Sequence, residues 1–190
     1  RHFDDFRPEA HDSDGLALHL ASGDWLWRPL DNPETLAVSS YDADDPLGYG
    51  LLQRDRSFSS YQDLETRAER RPSAWVEPVG AWGKGRVELV EIPTKSDTND
   101  NVVAYWVPAR EVKPGSPIEV AYRMFWYGDS LDRPPLGRVV STRRDKGDKE
   151  GVQRFVVDFA GAGIEEIPAS EIVHGALGMR PEDGVELLGQ

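Results

Sequence analysis

Two polar clusters in this 190-residue chain carry the residue types that acid and base chemistry needs. The first is Arg7-Pro8-Glu9-Ala10-His11-Asp12-Ser13-Asp14-Gly15, which gathers carboxylates and an imidazole within one expected turn. Asp and Gly favour such turns, because a short carboxylate bonds nearby backbone and Gly tolerates positive φ. The same property supplies a plainer reading, in which Asp12 and Asp14 only tie down the backbone. Asp12-Ser13-Asp14-Gly15 also echoes a calcium loop, but the third ligand and the terminal bidentate Glu are missing in register, so a calcium-stabilised adhesion sandwich is the weakest reading. The second cluster is Lys95-Ser96-Asp97-Thr98-Asn99-Asp100-Asn101, which opens into the apolar run Val102-Val103-Ala104-Tyr105-Trp106. A carboxylate at the mouth of a strand beside aromatic rings can be desolvated enough to keep a proton near neutral pH and serve as an acid. The alternative is a polar hairpin loop with solvated carboxylates.

A third feature is Arg70-Arg71-Pro72-Ser73-Ala74-Trp75-Val76-Glu77-Pro78, joined by Trp25, Trp27, Trp82, Tyr105 and Trp106. Aromatic faces against sugar C–H edges, with Arg and carboxylates bonding hydroxyls, make a carbohydrate cleft. Core packing competes for the same rings, and about half of the tryptophans are expected in the core. The histidines at positions 2, 11, 19 and 174 show no paired metal spacing, and His19 is expected to face solvent from an alternating strand. No metal site and no cofactor are expected. The chain has no G-x-S-x-G, Walker loop or dinucleotide fingerprint, which lowers serine hydrolases and nucleotide enzymes.

These groups must be positioned by β-structure. Short apolar or alternating runs broken by Gly, Pro, Asp and Asn recur along the chain, the pattern of an all-β sandwich or barrel. Strands are predicted over Leu16–Ala21, Trp25–Leu30, Leu36–Tyr41, Arg86–Ile92 and Asn101–Val107. Over Pro117–Tyr127 the residues Ile118, Val120, Tyr122, Met124 and Trp126 share one face at period two, which predicts a half-buried strand. Ser60 with Asp63 resembles a capping box, so a short helix is predicted over Tyr61–Arg70, ending before Pro72. Gly128–Gly137 combines two Gly, two adjacent Pro and charged residues, which marks a linker. Beyond it, Arg138–Thr142 and Arg154–Phe159 read as strands flanking the charged hairpin-like Arg143–Gly151.

The formal charge of −12 repels nucleic acid and anionic membrane surfaces, so a neutral or cationic ligand fits better. Zero cysteines exclude disulfides, zinc–thiolate sites and a Cys nucleophile. No apolar run approaches the ~18 residues that cross a bilayer. The chain opens at Arg1 without an initiator Met, so it is expected to be a piece of something longer.

The motifs FRPEAHDSDGL (Phe6–Leu16), WLWRPL (Trp25–Leu30), GLLQRDR (Gly50–Arg56), RRPSAWVEP (Arg70–Pro78), WGKGRVELVEIPT (Trp82–Thr94) and TNDNVVAYW (Thr98–Trp106) closely resemble, in order, the osmoregulated periplasmic glucan biosynthesis proteins of the MdoG/OpgG and OpgD type. The resemblance continues more loosely through Phe155–Phe159 and fades after about Pro168. It implies the end of a galactose-mutarotase-like β-sandwich domain (1–127), a linker (128–137) and the start of an immunoglobulin-like β-sandwich domain (138–190), in the periplasm. It implies a β-1,2-linked glucan as ligand, an inner-membrane glucan synthase as candidate partner and a homodimer as candidate assembly. Members resembling OpgD are inverting β-1,2-glucanases, which implies Asp100 as general acid and Asp12 as general base. In an inverting reaction the acid protonates the leaving oxygen while the base activates water on the opposite face of the sugar. Asp97, Asn99, His11, Arg71, Trp75 and Tyr105 are the implied sugar-binding residues. One departure stands out: position 68 carries Ala68 where the relatives carry a Tyr near the cleft. A non-catalytic glucan-binding scaffold that supports the synthase is the rival expectation.

Overall fold

The computed structural model describes residues 13–95, 99–129, 137–146 and 153–173. His11, Asp12 and Asp97 lie outside them. The described residues form antiparallel β-sheets with almost no helix, an all-β sandwich.

The larger sheet has five strands in the order β2-β1-β4-β5-β8, with β1 at Gly15–His19, β2 at Trp25–Pro29, β4 at Gly48–Leu52, β5 at Ser73–Val79 and β8 at Ala121–Tyr127. The smaller has three, β3 (Ala37–Asp42), β6 (Gly85–Glu91) and β7 (Val102–Pro108), in the order β3-β6-β7. Alternation explains how the two face each other. Leu16 and Leu18 of β1 and Val87 and Leu89 of β6 fall at period two on the facing sides and are fully buried, with Tyr49 and Ala43 between them. Each such side chain contributes on the order of 1.5–3 kcal/mol relative to exposure. A separate hairpin, β9 (Arg138–Lys146) with β10 (Gln153–Ala160), carries a register shift at Asp158/Phe159 and is followed by the short helix Ala162–Glu165. The pairing of β9 and β10 therefore runs further into the charged Arg143–Gly151 segment than the sequence suggested.

Two expectations change. The helix over Tyr61–Arg70 is instead a single turn, α1 (Phe58–Tyr61), and a 3-10 turn at Ala68–Arg70. Gln62 adopts φ 54 and Arg67 φ 52, and left-handed residues cannot continue a right-handed helix. The Asp63 carboxylate caps no helix; it accepts from the amides of Glu65 and Thr66 as a local turn. In β8 the face with Tyr122, Met124 and Trp126 is exposed, while Phe125 and Tyr127 pack on the opposite side of the sheet. Among the described residues, Tyr122, Met124 and Trp126 are not part of the cluster that packs between the sheets. Trp82 leans over this shelf, its indole donating to the Ala121 carbonyl at 3.0 Å and meeting Tyr122 edge to face.

The outward side of the large sheet is kept flat by glycine. Gly48 and Gly15 lie beneath the rings of Trp75 and Trp27, where a Cβ would collide with the indole. Gly48→Ala is expected to cost about 1–3 kcal/mol through overpacking. Urea melts should show a lower midpoint at unchanged slope; an unaltered midpoint would mean that the Trp75 ring moves aside freely.

Candidate functional site

One end of the sandwich collects the polar residues. The hub is Glu91, the last residue of β6, which is 1% exposed because it follows Val87 and Leu89 on the inner face. Its carboxylate pairs with Arg28 of β2 at 2.8 Å and accepts from the Asp31 amide at 2.6 Å, so it ties the end of one sheet to the end of the other. Asn32 then locks onto the loop after β6: its side-chain amide donates to the Thr94 carbonyl at 2.7 Å, and its carbonyl oxygen accepts from the Thr94 amide at 3.0 Å. Asn99 donates to the Thr94 hydroxyl at 3.2 Å, and the Asn101 side chain closes the loop onto the Ile92 carbonyl at 3.1 Å. Asp100 lies between them, exposed, two positions before the first residue of β7.

The turn before β1 meets the same end. The Asp14 carbonyl accepts from the Leu30 amide at 2.8 Å, and its amide donates to the Leu52 carbonyl at 2.8 Å. Its carboxylate accepts from the backbone amides of Arg54 and Asp55. Asp14 thus bonds backbone across strands, with its carboxylate on the segment that follows β4. Since Leu30 is followed directly by Asp31 and Asn32, the Leu30–Asp14, Asn32–Thr94 and Asn99–Thr94 bonds connect the Asp14 turn to the Asn99–Asn101 loop.

Arg71 sits at this end too, just before β5, with its carbonyl accepting from Arg56 at 3.0 Å. Three strand spacings separate β5 from β2 in the sheet order, roughly 14 Å. Ala68 is 4% exposed, and its carbonyl accepts from Gln53 Nε2 at 3.1 Å. The same nitrogen donates to the hydroxyl of the fully buried Tyr61 at 2.7 Å.

The aromatic residues divide between two faces. On the outward side of the large sheet, His19 stacks on Trp25 at 4.3 Å and Trp25 on Trp75 at 5.4 Å, while the Arg54 guanidinium lies 3.5 Å over Trp27. Trp75 is only 1% exposed beneath this stack, its indole donating to Glu77 at 3.2 Å. Tyr105 is elsewhere, on the outer face of the small sheet; its hydroxyl donates to Glu88 at 2.9 Å. That bond pushes the Tyr105 hydroxyl up and, with help from Arg86, holds the Glu88 carboxyl down. The structure therefore brings Asn99, Asp100 and Arg71 to one end of the sandwich, but separates Trp75 and Tyr105 onto different sheets.

Residues that sequence reasoning missed are Glu91, Asn32 and Arg54. Glu91 had a signal, a carboxylate in phase with Val87 and Leu89. Arg54 had none: burial and the neighbouring Arg138 push its guanidinium down to about 10, with Asp14 opposing, so it stays charged at neutral pH. Among the described residues no group of three or more His, Asp or Glu side chains gathers to hold a metal, and no helix is long and apolar enough to cross a membrane.

A family model described as "Periplasmic glucan biosynthesis protein, MdoG" matches residues 1–183. The chain belongs to this family. It is 53% identical over 173 residues to "Glucans biosynthesis protein G" of Ralstonia nicotianae, covering 86% of this chain and 34% of that protein. It is 47% identical over 183 residues to the protein of the same name from Pseudomonas putida, covering 90% and 33%, and 45% identical over 194 residues to that of Pseudomonas syringae pv. syringae, covering 96% and 50%. The chain thus spans a third to a half of these family members.

His19 yields a pH test. Burial on the stack lowers its pKa below the usual 6.5, against a smaller opposing pull from Glu77. The folded state then prefers neutral imidazole, so this contribution to stability is present above pH 6.5 and is lost as pH falls through the lowered value. Tm should drop on acidification from pH 7 to pH 5 by a component that His19→Phe, which keeps a ring on Trp25, removes. Identical pH profiles for the two proteins would refute the assignment.

Proposed function

We propose that this chain is part of a periplasmic glucan biosynthesis protein that cleaves a β-1,2-linked glucan by inversion, with Asp100 as acid and Asp12 as base. The observation that carries the reading is the run of bonds through Leu30, Asp31, Asn32 and Thr94, which sets the Asp14 turn and the Asn99–Asn101 loop at the same end of one sandwich. Two carboxylates from distant parts of the chain are what an inverting hydrolase requires, one on each side of the scissile bond with room for water. Asn99 and Arg71, with Asp97 and His11 beside the two acids in sequence, offer donors and acceptors for sugar hydroxyls. Trp75 would support the outward stack from beneath rather than touch the sugar. Tyr105 would bind sugar only on the outer face of the small sheet. Residues 1–127 are read as the end of the large glucan-handling domain and 138–190 as the start of the immunoglobulin-like one.

Asp100→Asn and Asp12→Asn in the full-length protein should each lower cleavage of linear β-1,2-glucan by at least about 10²–10⁴, since each substitution keeps shape and removes a proton-transfer group. Glucan binding should survive, because Asn replaces part of the hydrogen bonding. Folded variants that cleave at the parental rate would contradict the catalytic assignment. A parent that binds glucan and never shortens it would establish the scaffold role instead.

A further inference from the structure

We propose that Gln53–Arg56 is a latch that couples the seating of the β9–β10 hairpin to the Asp14 turn, with Arg54 as the positioning residue. Arg54 uses its two ends for two different jobs. Its backbone amide, together with that of Asp55 at 2.6 Å, holds the Asp14 carboxylate. Its guanidinium, clamped against the Trp27 ring at 3.5 Å, donates to the Val139 carbonyl in β9 at 2.7 Å. Two residues on, the Arg56 guanidinium donates to the Glu69 carbonyl at 3.1 Å, the Arg71 carbonyl at 3.0 Å and the Gly128 carbonyl at 3.1 Å. One short segment therefore grips the backbone just after β8 and inside β9, and with its amides grips the carboxylate two residues from Asp12.

The coupling follows from how little slack these groups have. A guanidinium held 3.5 Å over an indole and bonded to Val139 has little room to follow a shift of Val139 by changing rotamer, so the shift is taken up by the Arg54 backbone, which carries the amide bonded to Asp14. Arg138, beside Val139, faces the Arg54 cation and is itself held by Asp129 at 3.8 Å. Displacing the hairpin therefore changes the charge around Arg54 as well as its hydrogen bond. Lysine cannot substitute, because an ammonium lacks the planar fork that stacks and donates at once.

The kinetic half of this inference rests on the proposed hydrolase; the structural half does not. The test is hydrogen exchange and kinetics on the full-length protein carrying Arg54→Met or Arg54→Lys. Loss of a charge-assisted bond corresponds to about tenfold or more in a local opening equilibrium. Both Arg54 variants should raise exchange about tenfold at the Arg54 and Asp55 amides and across Val139–Thr142, while Val87 and Leu89 stay protected. On linear β-1,2-glucan they should lower kcat with KM nearly unchanged. Arg143→Ala, which breaks only the exposed pair with Asp158, should alter neither. Faster exchange in Val139–Thr142 with the Arg54 and Asp55 amides still protected would overturn the coupling. Coupled exchange with wild-type kcat would overturn the positioning role. Should the parent show no cleavage at all, the hydrolase reading falls and the exchange result decides the latch alone. If Arg54→Met fails to fold, Arg54→Lys carries the same exchange test.

Discussion

The fully buried carboxylate of Glu91 is the constraint on which the site end of this sandwich depends. A buried carboxylate is tolerated when it is paired and hydrogen-bonded, and here an arginine from the opposite sheet and the Asp31 amide each bond one of its oxygens. Removing either partner leaves charge stranded between two apolar layers, so the ends of β2 and β6 are held in one relative position. The interlocked Asn32 and Thr94 and the Asn99–Asn101 loop then follow from a fixed starting point. Apolar packing of Leu16, Leu18, Val87 and Leu89 holds the sheets together, but it is non-directional and would tolerate small slides. The ion pair supplies the registration that a site assembled from distant segments needs.

The outward face of the large sheet obeys a different rule. Gly15 and Gly48 remove side chains where indoles lie flat, so Trp27 and Trp75 spread along the sheet rather than stand away from it. The result is a continuous layer running from His19 through Trp25 to Trp75, next to Trp27 and the arginine it carries. Site loops, aromatic layer and hairpin junction meet at Arg54, and its depressed pKa reflects the burial that comes from serving all three.

Much of this was legible in residue order. The period-two pattern located β1, β2, β3, β6 and β7, and the Asp–Gly and Asn–Asp loops marked the end where polar groups gather. Glu91 was legible in principle, from its phase with Val87 and Leu89. The exposed face of β8 was not: Tyr122, Met124 and Trp126 have a buried-strand pattern, yet among the described residues they stay out of the cluster between the sheets. The α1 and 3-10 turns failed for a local reason, since nothing in Gln62 or Arg67 announces a left-handed backbone. Arginine-to-carbonyl bonds across 72 or 85 positions carry no sequence signal, because any residue offers the acceptor. The family resemblance added what spacing could not, the expectation of a β-1,2-linked glucan rather than of carbohydrate in general.

Convergence of the two acidic segments on one sugar is the central claim, and a crystal structure of full-length Asp100→Asn soaked with a β-1,2-linked gluco-oligosaccharide tests it most directly. The account requires sugar rings at the end of the sandwich, in contact with both the Asn99–Asn101 loop and the segment leading into Asp14. Density for the oligosaccharide confined to the outer face of β3-β6-β7 beside Tyr105, or touching only one of the two segments, would contradict it.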